Sequence, residues 1–291
     1  MKYRVRHITS YTYHDLVPLC QNQTHLSPRV FERQRCESTR VAVQPEPTAM
    51  QSWTDYFGNT AHYFAVEVPH DELTVTAESI VTVSPPRIPA PATTPAWEQV
   101  RAATASTLEE KAVQFTFESP CIRLIDAARE YARPSFPAGR PLLEAALDLT
   151  TRIWREFKYD PTATCVNTPT EEVLRHRRGV CQDFAHLQIT CLRSLGLAAR
   201  YVSGYLMTDP PPGQPKLVGA DASHAWLSVY CPQLGCWFDL DPTNNQMPQV
   251  RHVTLAWGRD YSDVCPISGV FLGGGEHRMY VSVDVAPTAD N

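Results

Sequence analysis

Tyr3, Val5, His7, Thr9, Tyr11 and Tyr13 alternate with a mostly polar set, the two-residue period of a half-buried strand. Val41 and Val43 suggest a second strand. Phe57-Gly58-Asn59 divides two strand-like runs, residues 52–56 and 62–68, as a hairpin turn does. Leu73, Val75 and Ala77, then Ile80, Val81 and Val83, extend the pattern. Short strands at this spacing predict a β-sandwich over residues 1–85. Between Pro85 and Pro95 five prolines interrupt any regular element, so residues 86–108 read as a Pro-rich linker.

Beyond the linker the period turns helical. Residues 124–132 form one candidate helix, stopped by Pro134. Leu142, Ala146, Leu149, Ile153 and Phe157 recur at three- and four-residue steps and predict a longer one. A third helix runs over residues 181–195, with Phe184, Leu187, Gln188, Cys191, Leu192 and Leu195 inside and Gly196 as its stop. Strands follow over residues 199–207, 222–230 and 237–241, the last two flanking a turn at 232–235, and residues 279–285 alternate as a closing strand. The predicted class is α+β: an N-terminal β-sandwich, then a core over residues 109–291 in which a helix packs on an antiparallel sheet.

Composition narrows the function classes. The chain has 291 residues, 43% hydrophobic and 20% charged, as soluble globular proteins do. A net charge of −5 gives no general attraction for nucleic acid. The first residues lack the apolar core of a signal peptide, and no apolar run approaches the ~20 residues that span a bilayer. The expectation is a cytoplasmic protein that engages neither nucleic acid nor membrane. Nine cysteines, an odd number with no Cys-x-x-Cys pair, argue against a zinc knuckle and a disulfide scaffold. No metal or other cofactor is expected.

One cysteine stands apart. Cys181 follows the Gly179 turn and heads the third helix, where unbonded amides of the first turn favour a thiolate and can bind an oxyanion. His224 lies on the strand over 222–230. If the following turn centres near residue 233, position 224 pairs with a position near 242, and Asp241 comes within reach of the imidazole. Asp239 shares a face with Asp241 and is the fallback. Asp183 reads as a helix-dipole residue, Gln182 as an oxyanion donor or plain first-turn residue, and His186 as structural. A zinc site from Cys181, His186 and His224 lacks a defined fourth ligand.

These residues sit in runs with a family likeness. Gly-Val-Cys-Gln-Asp-Phe-Ala-His-Leu from Gly179, Leu-Gly-Leu-Ala-Ala-Arg-Tyr-Val-Ser-Gly-Tyr from Leu195, Ser-His-Ala-Trp from Ser223 and Asp-Pro-Thr-Asn from Asp241 resemble the transglutaminase-like superfamily. More narrowly, the chain resembles bacterial transglutaminase-like proteins regarded as cysteine proteases, which carry a β-sandwich ahead of a papain-related core. Asp-Tyr-Phe-Gly-Asn from Asp55 and Gly-Arg-Asp-Tyr-Ser-Asp-Val from Gly258 look like signatures of that subgroup. The second of these is either a pocket-shaping loop or a structural turn.

The resemblance implies Cys181 as nucleophile, His224 as general base and acid, and Asp241 as the orienting carboxylate. Animal transglutaminases use an upstream tryptophan at the oxyanion; Tyr159 is the substitute candidate here. Trp226 either shields the three residues from water or simply packs. The calcium sites of the animal enzymes have no counterpart. The implied chemistry is acyl transfer through a thioester, with hydrolysis favoured because water needs no acceptor pocket. Transfer to an amine is the alternative, and a catalytically silent peptide-binding module is another. The implied substrate is a peptide, isopeptide or γ-glutamyl-type amide. The subgroup's association with ATP-grasp and α-helical proteins suggests such partners.

Overall fold

The computed structural model describes residues 1–106, 110–209 and 221–288. Six strands come first: β1 (Lys2–Val17), β2 (Leu19–Thr24), β3 (Gln34–Gln44), β4 (Ala49–Thr54), β5 (Thr60–Val66) and β6 (His70–Val83). Helices α1 (Trp97–Ser106), α2 (Glu110–Val113), α3 (Asp126–Ala132) and α4 (Leu142–Glu156) follow. Two short strands, β7 (Lys158–Tyr159) and β8 (Arg178–Gly179), bracket α5 (Thr170–His176). Then come α6 (Cys181–Ser194), β9 (Ala199–Leu206), β10 (Ala222–Cys231), β11 (Cys236–Leu240) and β12 (His252–Gly258). The chain closes with α7 (Tyr261–Val264), β13 (Ile267–Leu272) and β14 (His277–Pro287).

Three four-stranded antiparallel sheets carry the architecture, ordered β14-β1-β6-β3, β13-β2-β5-β4 and β11-β10-β9-β12. The first two face each other across a core that includes Tyr13, Val43, Phe64, Leu73 and Val75. This is the expected sandwich, and the alternation read in β1 is real: Tyr3, Val5, His7 and Thr9 are all buried. Gly58 turns the β4–β5 hairpin with φ +78°, a conformation that glycine adopts without strain. In the third sheet, Ala225, Leu227 and Val229 of β10 pack with Leu187, Cys191 and Leu192 of α6. The class is therefore α+β, with a helix-covered antiparallel sheet after the sandwich.

Two expectations need correction. Residues 86–108 are not a featureless linker, because the proline run ends at Pro95 and α1 starts two residues later, burying Val100 and Thr104 one turn apart; residues 107 and 108 lie outside the described residues. Nor does a boundary at 109 separate two self-contained sheets. Past α7 the chain returns to the sandwich, where β13 pairs with β2 and β14 with β1 over eleven residues. Each sandwich sheet thus depends on an edge strand from the far end of the sequence. The alternation over 279–285 marked that strand but not its partner.

The Asp-Tyr-Phe-Gly-Asn run fastens the sandwich to the third sheet. Asp55 accepts from the Asn59 amide and side chain at 2.7 and 2.8 Å. The Asn59 carboxamide then bonds both backbone groups of Trp257 in β12, at 2.9 and 3.0 Å, as a neighbouring strand would. Gln34 repeats the device, its side chain accepting from Thr254 N–H at 2.8 Å and donating to Thr254 C=O at 2.7 Å. The guanidinium groups of Arg29 and Arg200 lie 3.6 and 3.7 Å from the centre of the Trp257 ring. Asn59→Ala strips partners from the Trp257 backbone and from Arg29, and is expected to cost about 2–4 kcal/mol in urea denaturation. A loss under about 0.5 kcal/mol, the scale of an ordinary surface substitution, would contradict this role.

Candidate active site

The first turn of α6 is built around Asp183. Its carboxylate accepts from Val180 N–H at 2.8 Å, capping the helix, and from the Thr164 hydroxyl at 2.6 Å. Burial raises Asp183 above the usual carboxylate range, against the pull of those two bonds. The carboxylate crowds Gly179, where any Cβ would stand 2.6 Å from Asp183 Oδ2. That contact explains the glycine better than turn freedom does. Phe184 N–H to Val180 C=O is the helix's first backbone bond, so the amides of Cys181 and Gln182 have no preceding turn to bond. Cys181, the first helical residue, is half-buried at this end.

His224 arrives from β10. Its Nε2 lies 2.8 Å from Asp241 Oδ2, and the Cys181 side chain is among the groups that raise the ring. With Nε2 taken by the carboxylate, Nδ1 is the nitrogen left for the sulfur. Burial pushes His224 down, but the bonds to Asp241 and Cys181 and their charges outweigh it and lift the ring to about 10. Asp241, fully buried just past β11, is raised by desolvation and lowered further by its donors, ending well below the usual carboxylate range. Those donors are His224, His252 Nε2 at 3.2 Å, the Asn244 side chain at 2.8 Å, and the backbone N–H groups of Thr243 and Asn244 at 3.0 and 3.2 Å.

The structure thus brings Cys181, His224 and Asp241 together. Asp239, the fallback, is engaged elsewhere, accepting from Arg33 at 2.7 Å and Ser228 at 2.6 Å. Its partner Ser228 sits on β10 directly opposite, while Leu227 pairs with Leu240, the last pair of the β10–β11 ladder. Trp226 is wholly buried with its ring 6.1 Å from that of His224, near-parallel, so it both packs and covers the imidazole. Gln182 donates one of its two side-chain N–H groups to the Val166 carbonyl at 3.1 Å. Tyr159, exposed on β7 beside Gly179, is raised by burial and then by the charges of Cys181 and Asp183, so its hydroxyl keeps its proton near the sulfur. His186 is buried and accepts from Tyr261 N–H at 3.2 Å; burial lowers it to about 4.

Residues 258–264 run from the end of β12 through α7 and pack against α6, where Tyr261 N–H bonds His186. Arg259 and Asp263 pair at 2.8 Å, and Asp260 caps α7 through Ser262 N–H while accepting from Cys121 N–H at 2.8 Å. Arg193 of α6 donates to the carbonyls of Ala199, Phe117 and Arg259, so the buried guanidinium ties the helix to three segments.

Sequence reasoning missed His252 and Asn244. A lone histidine in a strand carries no periodic signal, and Asn244 was visible only as the last residue of Asp-Pro-Thr-Asn. Ligand atoms of His224, Asp241 and His252 lie within 4.8 Å of one another and could hold a metal ion. Their mutual hydrogen bonds account for the same arrangement without one.

Residues 3–82 match the bacterial transglutaminase-like N-terminal region, and residues 129–242 match the transglutaminase-like superfamily. An uncharacterized Mycobacterium tuberculosis protein is 45% identical over 294 residues, spanning 98% of this chain and 93% of that protein. The chain belongs to the bacterial transglutaminase-like family. A Mycobacterium leprae relative, also uncharacterized, is 31% identical across 98% of this chain and 99% of its own length. A structure of a candidate cysteine protease from Cytophaga hutchinsonii covers all of this chain and 92% of its own, with a TM-score of 0.76 and 20% identity, so the fold is shared. A chicken peptide-N(4)-(N-acetyl-beta-glucosaminyl)asparagine amidase is 30% identical over 102 residues, 35% of this chain and 13% of the amidase. Within this family the core is the transglutaminase-like one. Among the described residues no helix is long and apolar enough to cross a membrane.

The raised His224 makes a signed prediction. A histidine lifted from 6.5 to about 10 adds stability that is fully present below pH 6.5 and is lost as pH rises towards 10. The unfolding free energy of the wild type is expected to fall across that window, and the fall should be absent in His224→Gln. Equal slopes for the two proteins in urea titrations at stepped pH would contradict the protonated ring.

Proposed function

We propose that the protein is a cysteine-dependent amide hydrolase, a protease, isopeptidase or amidase, in which Cys181, His224 and Asp241 act as one unit. The observation that carries the reading is the buried His224 ring, held by Asp241 at 2.8 Å through Nε2 and close enough to Cys181 for the thiol to be among the groups that raise it. A ring held this way keeps one tautomer and one orientation, and Asp241 stabilises it when charged. The likeness to an amidase over part of the chain supports an amide as the bond attacked.

In the first step the Cys181 sulfur, as thiolate, attacks the amide carbon. A carbon–sulfur bond forms and the carbonyl electrons move to oxygen. The unbonded amides at the start of α6 and the Tyr159 hydroxyl are the donors for that oxygen. As the tetrahedral species collapses, His224 Nδ1 gives its proton to the departing amine, leaving a thioester. In the second step His224 takes a proton from water, hydroxide attacks the thioester, and acid and thiol are released. An amine in place of water would give transamidation by the same residues.

A thiol-directed activity probe at near-neutral pH is expected to label Cys181 ahead of the other eight cysteines. Cys181→Ala should lower amide turnover by about a thousandfold or more, and His224→Ala should reduce labelling sharply. Labelling spread evenly over all the cysteines would overturn the nucleophile assignment. With a glutaminyl peptide and a labelled amine, ammonia release should outpace amine incorporation; the reverse would make the protein a transglutaminase.

A further inference from the structure

A cavity of about 310 Å³ opens beside α6, with Ile125, Val166 and Pro169 among its walls and Thr170 and His186 lining it. It adjoins the nucleophile's turn, since Gln182 bonds the carbonyl of Val166. His186 is 5% exposed, yet only one of its ring nitrogens is used. Tyr261 N–H donates to Nε2, so that nitrogen is unprotonated and the neutral ring carries its proton on Nδ1. Among the described residues Nδ1 meets no hydrogen-bond partner. A histidine that is nine-tenths buried, with one ring nitrogen unused, therefore lines a hollow of mixed character, in which Ile125, Val166 and Pro169 alternate with Asn167, Thr170 and Glu171.

We propose that this cavity is a substrate subsite that takes a neutral carboxamide side chain, with His186 Nδ1–H bonding its carbonyl oxygen. The proposal rests on Cys181 being the nucleophile. His186 lies five residues along α6 from Cys181, about 7.5 Å along the axis. His186 shares a helix face with Gln182, four residues before it, and is turned about 140° from Cys181. An extended peptide at ~3.4 Å per residue therefore has to cross the Gln182 side, and the side chain two residues from the attacked carbonyl is the first to span the axial distance. Charge selects the neutral group. Arg123 at the rim is 71% exposed and already paired with Glu118, and Glu171 beside it repels a carboxylate. A carboxylate buried beside Glu171 is costly, whereas a carboxamide accepts from the imidazole and also has N–H groups to donate to an acceptor such as the Thr170 hydroxyl.

Peptidyl vinyl sulfones with glutamine, glutamate or norleucine two residues from the reactive carbon test this. Each labelling rate at Cys181 is divided by the same protein's rate with iodoacetamide, which reads the thiol alone. The glutamine reagent should exceed the norleucine one by about tenfold, the scale of one hydrogen bond, and should exceed the glutamate one as well. In His186→Phe the preference should shrink below about twofold, and His186→Asn, which keeps an N–H donor, should recover most of it. Equal normalised rates in the wild type, a glutamate preference, or a glutamine preference that survives His186→Phe would each overturn the subsite. Should His186→Phe fail to fold, Val166→Trp fills the cavity from a side chain that is 54% exposed and should abolish the same preference; a preference left intact would overturn the subsite too. Failure of iodoacetamide to label Cys181 in the wild type would instead overturn the nucleophile.

Discussion

Asp241 is fully enclosed, and an enclosed carboxylate is tolerable only where donors surround it. Two backbone N–H groups take one oxygen, while His224, His252 and Asn244 converge on the other. Remove the carboxylate and three side chains lose the group that aims them. The desolvation that makes Asp241 costly also makes its hold on His224 strong, because little water competes. The half-exposed sulfur at the start of α6 then meets a ring whose tautomer and direction are already fixed.

That arrangement reaches well beyond the core. His252 belongs to β12, and β12 is gripped by the sandwich through Gln34 and Asn59 side chains that imitate strand pairing. The sandwich is in turn completed by β13 and β14, which follow β12 in the chain. The N-terminal sheets therefore support the carboxylate's second histidine rather than hanging from the core as an appendage. On the other flank, Arg193 and the turn over residues 258–264 fix α6, and with it the position of Cys181.

How much of this could be read from sequence follows the range of each signal. Alternation in β1 and the three- and four-residue steps of α4 are local and came through. Cys181 at the head of α6 is equally local, and the structure places Asp241 rather than Asp239 beside His224, as the hairpin register and the proline after Asp241 suggest. Long-range pairing left no such trace. The strand over 279–285 was visible, but its return to β1 depends on the shape of the sandwich edge. Prolines at 85–95 masked α1, since their punctuation says nothing about the residues just beyond. His252 was illegible because its role comes from the neighbour it meets, and that neighbour, Asp241, is eleven positions away at the end of a different strand. His186 reads as structural in sequence; the structure buries it and bonds it to Tyr261, and its second nitrogen gains meaning only from the cavity beside it.

The central claim is that Asp241 aims His224 at Cys181 for acyl transfer. Acid-quenched reactions with an activated acyl substrate, read by intact-protein mass and peptide mapping, test it most directly. One acyl group is expected on Cys181 in the wild type, none there in Cys181→Ala, and greatly slowed formation in Asp241→Asn. Acylation at another cysteine, or an undiminished rate in Asp241→Asn, would contradict it.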